Sequence, residues 1–110
     1  MANDNRIDYV EFPCSATAPV KGFYAKAFGW KFTDYGPDYT SFEDGRLSGG
    51  FTAERRVLLI VLYASDLADC EKRVREAGGK IVKPTFTFPG GRRFHFTDPS
   101  GNELAAWSDK

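Results

Sequence analysis

The chain has 110 residues, enough for one domain with a buried core and small enough for a partner subunit to add burial. Fifteen basic and fifteen acidic residues cancel, so no strong field recruits nucleic acid or an anionic membrane. No apolar run approaches the roughly 20 residues that span a bilayer, and two cysteines without Cys or His at metal-ligand spacing make no disulfide framework.

The polar opening, MANDNRIDY, carries no signal-peptide core, and the expectation is a soluble, reduced, cytoplasmic protein. Residues 1–6 read as a loose tail. Ile7–Phe12 alternates as a strand with Tyr9 and Glu11 on one face. A helix follows, with Thr17 as N-cap, Pro19 in the first turn and Gly29 at the left-handed C′ position. Val20, Phe23, Tyr24, Ala27 and Phe28 fall at helical spacing and predict a buried stripe. Strands are expected at Trp30–Tyr35, Tyr39–Glu43 and Leu47–Thr52, with Asp44-Gly45 signalling a two-residue hairpin. Gly49-Gly50 implies close strand packing. Cys14 has no base partner in sequence and reads as a buried thiol.

Ala53–Arg56 is charged and unpatterned, a connector, after which the order repeats. Val57–Tyr63 is apolar at every position, so both of its faces should be covered. Ser65-Asp66 offers the next N-cap, Leu67, Cys70, Val74 and Ala77 form the second helical stripe, and Gly78-Gly79 ends it. Lys80–Lys83 reads as a short strand, Pro84–Gly91 as a long loop, and Arg92–Thr97 and Glu103–Trp107 as the last strands. Between them, Asp98-Pro99-Ser100-Gly101-Asn102 has the chemistry of an architectural turn. Pro99 presets φ, Gly101 permits the reversal, and Asp98 accepts from the turn's own N–H groups. The order is therefore β-α-β-β-β, linker, β-α-β-β-β, with Phe28-Gly29-Trp30-Lys31 lying about 49 positions before Ala77-Gly78-Gly79-Lys80. This predicts one α+β domain of two βαβββ modules, 7–52 and 57–107, forming a curved mixed sheet around a cleft.

The stretch Gly22–Trp30 (GFYAKAFGW), Ala77–Lys80 (AGGK) and the closing Phe96–Asn102 (FTDPSGN) resemble motifs of the vicinal oxygen chelate superfamily, which includes glyoxalase I, bleomycin- and fosfomycin-resistance proteins and extradiol dioxygenases. The resemblance covers Ile7 to Trp107 and implies the glyoxalase/bleomycin-resistance-like fold, usually paired as a homodimer. It also implies divalent-metal ligand positions at Tyr9, near Leu59 and at Ala105. Leu59 and Ala105 have no donor atoms and neutral Tyr is a poor ligand, so no metal and no cofactor is expected here. A shifted site using Glu11, His95 and Glu103 is the alternative.

The two-residue period puts Phe94 and Phe96 under the helices. It turns Tyr9, Glu11, Leu59, Val61, Tyr63, Arg93, His95, Glu103, Ala105 and Trp107 toward the cleft. That lining suits a small organic ligand bearing a ring or a carboxylate. The first functional expectation is thus a metal-free small-molecule-binding protein, without nucleic-acid or membrane partners. The second is a small enzyme (a lyase, an isomerase or a lactoylglutathione-lyase relative) using Glu11 or His95 for acid–base work. A third is a dimeric accessory module without chemistry of its own.

Overall fold

The computed structural model describes residues 4–110. They form two contact clusters, Tyr9–Leu59 and the stretch up to Asp8 together with Ile60–Lys110. In chain order the elements are β1 (Ile7–Pro13), α1 (Thr17–Phe28), β2 (Lys31–Asp34), β3 (Tyr39–Glu43) and β4 (Ser48–Thr52), then β5 (Leu59–Tyr63), α2 (Leu67–Glu76), β6 (Lys80–Phe88), β7 (Gly91–Thr97) and β8 (Glu103–Ser108). The fold is α+β, built from two βαβββ modules. Among the described residues no helix is long and apolar enough to cross a membrane.

In the Tyr9–Leu59 cluster the strands lie in the order β2-β3-β4-β1, with β1 parallel to β4 and the other pairs antiparallel. Alternation gathers Phe12, Phe42 and Phe51 on the face that α1 covers. Phe12 stacks on Phe51 at 4.9 Å, and Trp30 lies between Phe42 at 4.5 Å and Tyr24 of α1 at 4.6 Å. Gly49 makes this layer possible, since a Cβ there would collide with the Val10 carbonyl oxygen and the Phe42 ring.

The helix above this layer departs from expectation. No residue of α1 is buried, and Phe23 and Phe28 are 59% and 65% exposed. Of the expected stripe, Tyr24 makes the contacts with the sheet's rings, stacking on Trp30 and lying 5.3 Å from Phe51. The cap also differs. Ala16 sits at the N-cap position without a side-chain bond, and Thr17 is the first helical residue. Gly29 does close the helix at φ 73°, its N–H reaching Ala25 O at 3.0 Å. The β3–β4 hairpin has a four-residue connection, not two, because Asp44 Oδ1 accepts from the N–H groups of Arg46 (2.8 Å) and Leu47 (2.6 Å) and holds both in the loop. Cys14 is half-buried and not fully buried, while Cys70 is buried. Burial pushes both thiols above their usual range, which keeps them protonated.

The second cluster has the strand order β5-β8-β7-β6, with β5 parallel to β8 and the rest antiparallel. Its core joins Leu67, Cys70 and Val74 of α2 to Phe94, Phe96, Ala106, Leu62 and Ile81. Asp66 caps α2 by accepting from Asp69 N at 3.0 Å. Gly78, at φ 102°, lets the chain leave, and Gly79 N–H bonds Val74 O at 2.9 Å. The all-apolar stretch is strand only from Leu59, and Val57 and Leu58 stay exposed.

The expected Pro84–Gly91 loop is instead mostly strand, with β6 continuing to Phe88. The strand tolerates Pro84 because β6 is the edge of this cluster's sheet and its pairing with β7 shifts register between Lys83 and Phe86, where no N–H is needed. The expected loose tail, residues 1–6, falls partly outside the described residues. From Asp4 onward it is bound. Asp4 accepts from Ser65 N and Oγ, each at 2.8 Å, and Asn5 N–H reaches Tyr63 O at 2.9 Å.

The closing turn forms as its residues dictate. Asp98 Oδ1 accepts from Ser100 N and Asn102 N, and Oδ2 from Asn102 Nδ2, all at 2.9 Å, with Gly101 at φ 88°. The Asn102 side chain, then the turn's N–H groups, hold the Asp98 carboxyl below the usual carboxylate range. A carboxyl depressed in the fold contributes stability above its unfolded value of about 3.9, and that contribution fades as the pH falls through the lower folded value. Asp98→Asn should therefore lower the melting temperature at neutral pH, with the difference from wild type shrinking under acid, as thermal denaturation across a pH series will show. Phe94→Ala, which opens a void beneath α2, should cost about 3–5 kcal/mol in urea denaturation.

Candidate functional site

Burying Phe94 and Phe96 under α2 turns the alternate residues of β7 to the face that α2 does not cover. Pairing then aligns two rows across four strands. One row is Val61, Ala105, His95 and Lys83, and the next is Tyr63, Trp107, Arg93 and Phe86. Seven of the residues singled out from the sequence belong to this cluster: Val61, Tyr63, Arg93, His95, Glu103, Ala105 and Trp107. Lys83, Phe86 and Phe88 share the face but escaped the sequence reading, because their segment read as a loop. The Phe86-Thr87-Phe88 alternation was the available signal.

His95 is 2% exposed, and its Nδ1 lies 2.7 Å from Glu103 Oε2. Glu103 keeps its side chain 36% exposed, so the pair joins a buried ring to a solvent-reaching carboxylate. With the Nδ1 proton directed at Glu103, a neutral His95 carries its basic lone pair on Nε2. The Phe86 ring stands 5.9 Å from the imidazole. In the neighbouring row the Arg93 guanidinium carbon lies 5.3 Å from the Phe86 ring centre and 5.5 Å from that of Phe88, while Lys83 Nζ sits 4.6 Å over Phe86. Trp107 packs edge-on against Tyr63 at 5.3 Å and donates its indole N–H to Asp8 Oδ2 at 2.9 Å. The Tyr63 hydroxyl donates to Asp109, and that bond raises its pKa above the usual phenol value.

The remaining three positions lie in the Tyr9–Leu59 cluster. Glu11 is 8% exposed, and the Tyr39 hydroxyl donates to its Oε2 at a long 3.5 Å. The Tyr9 and Tyr39 hydroxyls are bonded to each other. Burial, then the Tyr9 hydrogen bond and the Glu11 charge, push the Tyr39 phenol well above its ordinary pKa, so it acts only as a neutral donor or acceptor. Gly50 leaves room for both rings, since a Cβ there would collide with the Tyr39 hydroxyl. Leu59 is fully buried.

The donor set does not fit a divalent metal at the positions the resemblance implied. Leu59 and Ala105 are fully buried side chains with no lone pair, and the Tyr9 hydroxyl is bonded to Tyr39. Among the described residues no three His, Cys, Asp or Glu side chains are grouped to hold an ion.

The His95–Glu103 contact also tests the face as a structural unit. Glu103→Ala should cost about 1–3 kcal/mol by removing the acceptor from a buried ring nitrogen, and Glu103→Gln should cost less, both read by chemical denaturation.

Comparison with known proteins places these features in a family. A search of curated protein sequences finds no match. Several solved structures share the fold. They include an NAD-dependent benzaldehyde dehydrogenase from Legionella pneumophila (TM-score 0.75, 16% identity, covering 93% of this chain and 98% of that one). A Mn(II)-bound glyoxalase from Novosphingobium aromaticivorans aligns with TM-score 0.73 and 23% identity over 94% of this chain, which spans only 38% of the glyoxalase. Methylmalonyl-CoA epimerase from Mycobacterium tuberculosis aligns with TM-score 0.73 and 12% identity, covering 93% and 86% of the two chains. A family profile matches residues 40–106, and the chain belongs to the Glyoxalase/Bleomycin resistance protein/Dioxygenase superfamily.

Proposed function

We propose that this protein binds a small, ring-bearing organic molecule on the α2-free face of β5, β8, β7 and β6, and does so without a metal. The observation that carries the reading is the composition of that face: Phe86, Phe88 and Trp107 supply aromatic surface beside Arg93 and Lys83. Flat apolar surface with a few placed polar groups is the lining that small-molecule sites use. The metal-free part rests on Leu59 and Ala105, which have nothing to exchange for an ion's waters. The reading further takes the chain as one cytoplasmic domain that pairs with a second copy, a state that sedimentation at micromolar concentration tests.

A second reading is favoured by the His95–Glu103 pair. A carboxylate on Nδ1 orients an imidazole and raises its basicity, which suits a general base in a lyase or isomerase. Glu11 is the other candidate base, as a buried carboxylate with one long hydrogen bond. The Mn(II)-bound glyoxalase and the epimerase named above are enzymes of this fold and motivate the comparison.

Three measurements test these readings. Metal analysis of protein purified without chelator should find no stoichiometric Ni, Zn, Mn or Fe, and a full complement of one of them would overturn the metal-free reading. A thermal-shift screen with aromatic acids and polycyclic antibiotics should raise the melting temperature for at least one ring-bearing compound. If turnover is found for any bound compound, His95→Ala and Glu11→Gln should reduce it by about 10²–10⁴-fold, the span of a lost general base.

A further inference from the structure

We infer that Arg93 is the receptor for a carboxylate on the ring-bearing ligand, clamped in place by Phe86 and Phe88. The inference rests on the small-molecule-binding reading above and names the chemical class it takes.

The first observation is an unspent donor. Arg93 is half-buried, and its Nε is fully enclosed with no hydrogen-bond acceptor. Its guanidinium lies against the rings of Phe86 and Phe88. Enclosed donors are satisfied in folded proteins with few exceptions, and a guanidinium has no neutral form to retreat to. A stacked ring engages the π system of a guanidinium, and the Nη groups, which unlike Nε are not enclosed, remain available to an acceptor. Arg93 is thus oriented without its donors being consumed.

The second observation is charge. Lys83 and Arg93 both approach Phe86, at 4.6 and 5.3 Å, and among the described residues neither is ion-paired with a carboxylate. The carboxylates that bond residues of this face each have another partner: Glu103 is directed to His95, Asp8 accepts from the Trp107 indole N–H and Asp109 from the Tyr63 hydroxyl. Two cations around one ring, neither ion-paired among the described residues, leave positive charge that a ligand anion would offset.

The third observation is how β6 creates this arrangement. Lys83 pairs with His95 and Phe86 with Arg93, so three steps along β6 match two along β7. The extra residue in that bulge puts Lys83 and Phe86 on the same face, where unbroken alternation would separate them. A carboxylate offers two coplanar oxygens to the parallel N–H groups of the fork, and an attached aromatic ring would lie against Phe86, Phe88 or Trp107.

The test is calorimetric titration of the full-length protein with 2-naphthoate, its neutral counterpart 2-naphthamide, and inorganic phosphate. Naphthoate should bind at least about tenfold more tightly than naphthamide, the step expected for a charge-assisted pair. Arg93→Gln should erase that preference, so that the variant binds naphthoate and naphthamide equally. Arg93→Lys keeps the charge but loses the fork and should retain only part of the preference. A perturbed Arg93 Nε–H resonance in ¹H–¹⁵N spectra during the naphthoate titration provides a readout that needs no variant. Equal binding of acid and amide, or a preference that survives Arg93→Gln, overturns the carboxylate role while the ring-binding reading stands. Phosphate binding as tightly as naphthoate overturns the assignment to carboxylate. Binding of none of the three overturns both readings.

Discussion

The contact of Phe94 and Phe96 with α2 sets the positions of the other groups in the second module. Both rings are buried, with Leu67, Cys70 and Ala106 around them. A strand has only two faces, so once these rings are committed to the helix, Arg93 and His95 have one direction left. The apolar core therefore places the polar site. Register extends the constraint sideways, since each neighbouring strand must present its alternate residues to the same face to keep its own apolar side under α2. Val61, Ala105 and His95 share a row for that reason, and so do Tyr63, Trp107 and Arg93.

Much of this was readable from residues. The closing turn follows from Asp98, Pro99, Gly101 and Asn102, each with one local role. The start of α2 follows from Asp66, and the face assignments of β5, β7 and β8 follow from strict alternation. What escaped was tertiary or irregular. Val20–Phe28 has the spacing of a buried stripe, but Trp30, which follows the helix, occupies the space between α1 and the sheet. Helical periodicity cannot anticipate a ring arriving from the next element. The Pro84–Gly91 segment misled for a different reason. Proline and glycine usually end strands, yet at an edge with register shifts the missing N–H of Pro84 breaks no ladder bond. The face that forms the candidate site was accordingly legible where it lies on regular strands and invisible where β6 contributes Lys83, Phe86 and Phe88.

The two clusters handle their buried polar groups in different ways. Around Tyr9, Tyr39 and Glu11, hydroxyls bond each other and a carboxylate in space left by Gly50, and burial keeps Tyr39 neutral. Around His95 the partner carboxylate reaches solvent, so charge can change there without being sealed in. The second arrangement is open to solvent and the first is enclosed.

The register shifts in β6 also govern what kind of genetic change this face can absorb. Ordinary substitutions alter one side chain at a time and leave the alternation intact. Loss or gain of a single codon near Pro84 would instead fall where the strand already carries an extra residue, so the bulge can take up the change and leave Phe86 opposite Arg93. A one-residue length change at this edge is thus one that the strand can absorb while the core beneath stays as it is.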